Sequence, residues 1–97
     1  MITHENPQSA RIAFIGGGNM AAAIIGGLLK NNIAADQILA VDPMTPARDR
    51  LQVSYGIRLA SNISEAENFI DMANLIILAV KPSHLMEALS QLQSVLK

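Results

Sequence analysis

Residues 12–29 read IAFIGGGNMAAAIIGGLL. A short apolar run is followed by three glycines and then by an apolar stretch with helical spacing. Gly16, Gly18 and Ala21 match the pattern G-x-G-x-x-G/A, in the context that gives it meaning: it leaves a strand and opens a helix. Gly16 permits the tight turn out of the strand, Gly18 has no β-carbon to keep a pyrophosphate from the backbone, and Ala21 lets the helix pack closely. The helix start then presents unpaired N–H groups and the positive end of its dipole. The plain alternative is a glycine-rich turn that binds nothing.

The rest of the chain extends this pattern. Arg11–Ile15 reads as a first strand buried on both faces, and residues 19–31 as the first helix. Gly26 and Gly27 each weaken that helix by about 1 kcal/mol against Ala, which close packing of the helix on the sheet is expected to offset. Gln37–Val41 is a second strand ending at Asp42-Pro43. Residues 46–55 form a second helix, with Thr45 as its cap, Pro46 at the first helical position and Gly56 as its stop. Ile57–Leu59 is a short third strand, Ser64–Met72 a helix, and Ala73–Val80 the most hydrophobic strand. Pro82 opens a last helix through Leu85, Leu89, Leu92 and Leu96. Alternating strands and helices imply an α/β fold: a Rossmann-like parallel sheet with helices on both faces. Right-handed crossovers order the strands 3-2-1-4.

Composition narrows the function classes. The 97 residues suffice for one modest domain, expected over 11–97 after a flexible polar lead over 1–10. With a net charge of −1 there is no basic surface to suggest nucleic acid or an anionic membrane. No apolar stretch approaches the roughly 18 residues of a membrane helix. The polar start MITHENPQSA is no signal peptide. The lack of cysteine removes disulfides and thiolate metal sites, and fits a cytoplasmic protein. No metal-ligand spacing and no nucleophile–base set is visible.

Asp42 closes the second strand, 21 positions after Ala21. An acidic residue there bonds an adenosine ribose, although a turn Asp before Pro43 is the simpler role. Its carboxylate favours NAD, and Arg48 and Arg50 just beyond offset that by offering donors to a 2′-phosphate, or are solvated helix charges. Ala79, Val80, Lys81 and Pro82 end the fourth strand, beside the point where strand order reverses and ligands bind. Lys81 touches phosphate, ribose or substrate, or is a surface lysine. His84 lies near the site but reads more simply as a solvated helix histidine, His4 falls in the lead expected to be disordered, and Tyr55 reads as a packing residue.

Taken together, IAFIGGGNMAAAIIGGLL, the VDP after the second strand, GIRLASN and AVKPS resemble the N-terminal half of pyrroline-5-carboxylate reductases. The resemblance covers residues 11–97 and implies reduction of 1-pyrroline-5-carboxylate to L-proline with NADPH or NADH. It implies that Gly16, Gly18, Asn19 and Met20 form the phosphate loop, that Asn62 lies on the adenosine side, and that Ala79, Val80, Lys81 and Pro82 line the nicotinamide. Many members prefer NADPH and carry a small polar residue where Asp42 stands. The family continues into further strands and a helical domain that supplies the substrate pocket and the dimer interface. The chain therefore reads as a truncated cofactor domain without catalytic residues of its own, from an enzyme expected to be a homo-oligomer. Other dehydrogenases of the β-hydroxyacid or deazaflavin-dependent type, and a non-catalytic nucleotide-sensing module, are the rival readings. LIILAV is expected to pair with another chain or to promote aggregation.

Overall fold

A computed structural model describes residues 10–96. Almost all of the polar lead, with His4, and Lys97 lie outside the described residues. Four strands form one parallel sheet: β1 (Ile12–Ile15), β2 (Ile38–Val41), β3 (Arg58–Ala60) and β4 (Leu75–Leu78). Their order is β3-β2-β1-β4, as right-handed crossovers require. The helices are α1 (Asn19–Lys30), α2 (Thr45–Tyr55), α3 (Glu67–Asp71) and α4 (Leu85–Val95).

β1 and β2 are buried throughout because helices cover both faces of the sheet. Alternation along the strands divides the core in two. Ile12, Phe14, Ile38 and Ala40 face Ala21 and Ile25 of α1 and Leu51 of α2. Ala13, Ile15, Leu39, Val41 and Ala60 face Ile70 of α3 and Ala88, Leu92 and Val95 of α4. Phe14, Ile25, Ile38, Leu51 and Ile70 are fully buried, and each contributes about 1.5–3 kcal/mol of hydrophobic stabilisation. No described helix is long and apolar enough to cross a membrane.

Element ends depart from expectation where long-range caps intervene. β4 is shorter than Ala73–Val80 because Asn74 is taken up by Arg11: its Oδ1 accepts the Arg11 N–H at 2.7 Å, and its own N–H donates to the Arg11 carbonyl at 2.8 Å. β3 is shifted by one residue, to Arg58–Ala60, because its ladder to β2 pairs Arg58 with Leu39 and Ala60 with Val41, while Ile57 just before it packs in the core under α1 and α2. Thr45 is the first residue of α2 and no cap; Met44 holds that place without a side-chain bond. The third helical segment splits into a 3-10 turn at Ser64–Ala66 and α3, and the last begins with a 3-10 turn at Pro82–His84. Gly56 ends α2 as expected, at φ 64°, its N–H donating to the carbonyls of Leu51 and Gln52.

The expected packing of Gly26 and Gly27 on the sheet is not what holds them. Ala21 and Ile25 make the sheet contact. A β-carbon on Gly26 would lie 2.9 Å from the Tyr55 hydroxyl, so Gly26 makes room for α2, and Tyr55 is the packing residue expected. A β-carbon on Gly27 would meet nothing within 4 Å. Gly27→Ala is therefore expected to stabilise the fold by about 0.5–1 kcal/mol, read as a higher denaturant midpoint at unchanged slope. An unchanged or lower midpoint would show that Gly27 serves something besides this domain's own packing.

Candidate functional site

The strands run parallel, so their carboxyl ends share one edge of the sheet. The ten residues expected to bind cofactor lie along it: Gly16, Gly18, Asn19 and Met20 after β1, Asp42 after β2, Asn62 two residues beyond β3, and Ala79 to Pro82 after β4.

Hydrogen bonds tie these ends into a continuous rim. The Gly16 N–H donates to the Val41 carbonyl at 2.8 Å, the Ala79 N–H to the Ile15 carbonyl at 2.7 Å, and the Asp42 N–H to the Ala60 carbonyl at 3.0 Å. Gly16 is buried with φ 110°, a conformation that L side chains rarely adopt. A second constraint, unseen in the sequence, is the Ala79–Val80 peptide. A β-carbon on Gly16 would fall 2.4 Å from the Ala79 carbonyl oxygen. The glycine turn and the AVKP turn are thus in contact at the point where strand order reverses.

Gly18, Asn19 and Met20 are exposed, and space above Gly18 is open: a β-carbon there would meet nothing within 4 Å. Gly18 caps α1 without any side-chain bond, and no acidic side chain occupies the first turn. The N–H groups at the start of α1 thus have no side-chain cap, and an uncapped helix start suits an anion.

Asp42 is half-buried and already employed. Its Oδ2 accepts the Gly17 N–H at 2.8 Å and its Oδ1 the Met44 N–H at 2.8 Å. The second bond is the simple turn role; the first reaches across to the glycine loop. An ionised carboxylate offers about four acceptor positions, so the two bonds leave capacity for a ligand. Arg48 is drawn into the same turn. Its Nη1 donates to the Asp42 carbonyl at 2.8 Å and its Nη2 to the Thr45 hydroxyl at 3.1 Å. Three of its five N–H groups remain. Arg50 is exposed on α2.

Asn62 performs a local task. Its Oδ1 accepts the Glu65 N–H at 3.0 Å and the Ser64 hydroxyl at 2.7 Å, capping the turn before α3. Glu65 reaches back, its Oε1 accepting both the N–H and the hydroxyl of Ser61. These bonds, with the Arg48 charge, hold the exposed Glu65 carboxyl below the ordinary glutamate range. Ser61 and Glu65 were missed in the sequence, although Asn62-x-x-Glu65 has capping-box spacing. Gly17, too, was passed over. Lys81 and His84 are exposed, and the His84 N–H donates to the Lys81 carbonyl at 2.8 Å. Among the described residues no group of three or more His, Asp or Glu side chains is arranged to hold a metal.

A doubly wound parallel sheet, with a glycine turn feeding a helix at its switch point, is the Rossmann-like architecture of nucleotide-dependent oxidoreductases. Residues 11–97 match the family model described as NADP oxidoreductase, coenzyme F420-dependent, and the chain belongs to that family. Pyrroline-5-carboxylate reductase of Pseudomonas aeruginosa is 38% identical over 90 residues, covering 93% of this chain and 32% of that protein. Among solved structures, a pyrroline-5-carboxylate reductase from Coxiella burnetii superposes with TM-score 0.79 at 26% identity, over 90% of this chain and 31% of that one. The fold is also that of Plasmodium falciparum pyrroline carboxylate reductase crystallised with NADP, at TM-score 0.69 and 19% identity, over 91% of this chain and 30% of that one. The chain spans about a third of the length of these relatives.

Proposed function

We propose that residues 11–97 are the cofactor-binding part of an NAD(P)H-dependent oxidoreductase that reduces 1-pyrroline-5-carboxylate to L-proline. The supporting observation is the contact between Gly16 and the Ala79–Val80 peptide, which joins the phosphate loop to the AVKP turn at the switch point. The named relatives are reductases of this substrate.

The residues fit a dinucleotide. The open space above Gly18 and the uncapped start of α1 suit a pyrophosphate against the amides of Gly18, Asn19 and Met20, with Gly16 making the turn. Asp42 and Asn62 lie on the adenosine side, and Ala79, Val80, Lys81 and Pro82 on the nicotinamide side. When bound, the reduced nicotinamide supplies a hydride, and conversion of a C=N bond to an amine takes up one proton besides. The chain's part is to bind and orient. None of its described residues is assigned the proton, and the 97-residue chain alone is expected to form no proline. Residues 1–10 are a lead to this domain. The full-length enzyme is read as a cytoplasmic homo-oligomer acting on a small-molecule substrate.

Parallel titration of the chain with NADH and NADPH, followed by amide hydrogen exchange, tests this. Residues 16–20 gain protection on saturation, and NADH binds more tightly than NADPH if Asp42 takes the ribose. If neither nicotinamide coenzyme protects these amides at millimolar excess, the reading fails. The family description favours one rival, hydride exchange between NADP and a reduced deazaflavin. Activity of the full-length protein on pyrroline-5-carboxylate separates the two.

A further inference from the structure

The second amide of the glycine turn is held by a side chain 25 positions away. The Gly16 N–H is spent on the Val41 carbonyl and the Gly17 N–H on Oδ2 of Asp42, each at 2.8 Å. Two successive amides therefore turn back towards β2, and the exposed ones begin at Gly18. We propose that Asp42 is a positioning residue for the phosphate loop: by gripping the Gly17 N–H, it fixes which amides are left to receive a pyrophosphate. This rests on the dinucleotide reading above, and differs from a ribose contact because it operates before any nucleotide binds.

Asp42 is itself held from three further sides. Oδ1 receives the Met44 N–H, the backbone N–H donates to the Ala60 carbonyl, and the carbonyl receives Nη1 of Arg48. The carboxylate is thus a fixed strut between β2 and the loop. Gly17 lies against it with little room to spare: an added β-carbon would fall 3.1 Å from Cδ1 of Leu51 and 3.3 Å from Cβ of Asp42, so a neighbour would have to give by a few tenths of an ångström. The peptide between Gly16 and Gly17 carries no side chain that could set its orientation by packing. A hydrogen bond to an ionised acceptor, roughly twice as strong as a neutral one, does so instead. The adenosine end of the rim and the phosphate loop are mechanically one unit.

Asp42→Asn tests this with little change of shape. Its amide oxygen can still take the neighbouring Met44 N–H, which leaves the amide NH2 facing Gly17. Asp42→Ser is the second variant, too short to reach the loop. Three quantities are read on the 97-residue chain: exchange of the Gly17 amide in free protein, and binding of ADP and of inorganic pyrophosphate from shifts at the amides of Gly18 to Met20. In both variants Gly17 exchange is expected to quicken about tenfold or more while the Gly16 amide stays protected. ADP and pyrophosphate weaken by similar factors, about tenfold. Unchanged Gly17 exchange overturns the proposal. So does weaker ADP binding with unchanged pyrophosphate binding, which would make Asp42 a ribose ligand only. A wild-type chain that binds neither probe sinks the dinucleotide reading and the phosphate half of the proposal with it. The Gly17 measurement in free protein tells that failure from failure of the grip.

Discussion

Gly16→Ala is expected to lose about 2–6 kcal/mol of stability, while Gly18→Ala keeps its stability and loses the nucleotide. The two glycines stand two residues apart in one turn, and the difference between them is physical. At Gly16 the backbone has φ 110°, and an added β-carbon would lie 2.4 Å from the Ala79 carbonyl oxygen and 2.7 Å from its carbon. Neither neighbour is the free end of a side chain. The Ala79 peptide is fixed by its own N–H bond to the Ile15 carbonyl. Relief therefore means parting β1 from the turn after β4. Backbone strain and overpacking each cost about 1–3 kcal/mol, and a small domain has only about 5–15 kcal/mol in all. At Gly18 φ is −82° and the β-carbon would meet no protein atom. The change there costs about 1 kcal/mol or less, as the loss of a glycine cap. Denaturant unfolding and NADH titration on both variants check the pair. A Gly16→Ala midpoint equal to wild type would mean that the Ala79–Val80 turn yields easily, and would separate the two halves of the proposed site.

How much of the site was legible depended on the range of each contact. The glycine spacing, the acidic residue after β2 and the AVKP turn are local patterns, and the parallel topology carries all of them to one edge. Topology could be read because β1, β2 and the LIIL core of β4 are unbroken apolar runs with turn residues between. What the residues do for one another was hidden. Asp42 looked like a choice between turn and ribose, yet its Oδ2 reaches Gly17. Arg48 looked like a phosphate ligand or a solvated charge, yet it ties the turn by two bonds. Such contacts join side chains to backbone groups of other segments, and no periodicity announces them.

Element ends failed for the same reason. Asn74 removes itself from β4 by pairing with Arg11, 63 positions earlier. Thr45 has the residue type of a cap, but the Asp42 carboxylate takes the amide next to it and Arg48 takes its hydroxyl. Gly26 answers to Tyr55 across the helix pair, where the sequence suggested the sheet. In each case a local preference lost to a tertiary bond.

Leu75→Lys together with Leu78→Pro is expected to keep the 97-residue chain monomeric at concentrations at least tenfold above those at which wild type self-associates. β4 is the edge of the described sheet beyond β1. The N–H groups of Leu75 and Ala79 donate towards β1, to the carbonyls of Arg11 and Ile15. By alternation those of Ile76 and Leu78 point away from the sheet, where a further strand would pair. The side chains beside them are apolar. Leu75 is 52% exposed. An edge that is open, parallel and oily invites a second copy, and natural edges are commonly blunted by Lys or Pro. Leu78→Pro removes an outward donor without touching the ladder to β1, and Leu75→Lys places a charge on the exposed flank. Leu78 also packs against the α3–α4 core, so Leu75→Lys alone serves as the milder variant, with a smaller shift in the same direction. Sedimentation velocity over a concentration series reads the outcome, with circular dichroism confirming that each variant folds. A wild-type chain that stays monomeric up to hundreds of micromolar would show that this edge is protected by twist and side chains alone. Association that persists unchanged in folded variants would move the contact elsewhere, with the exposed Met20 and Ile24 of α1 as the next apolar surface to test.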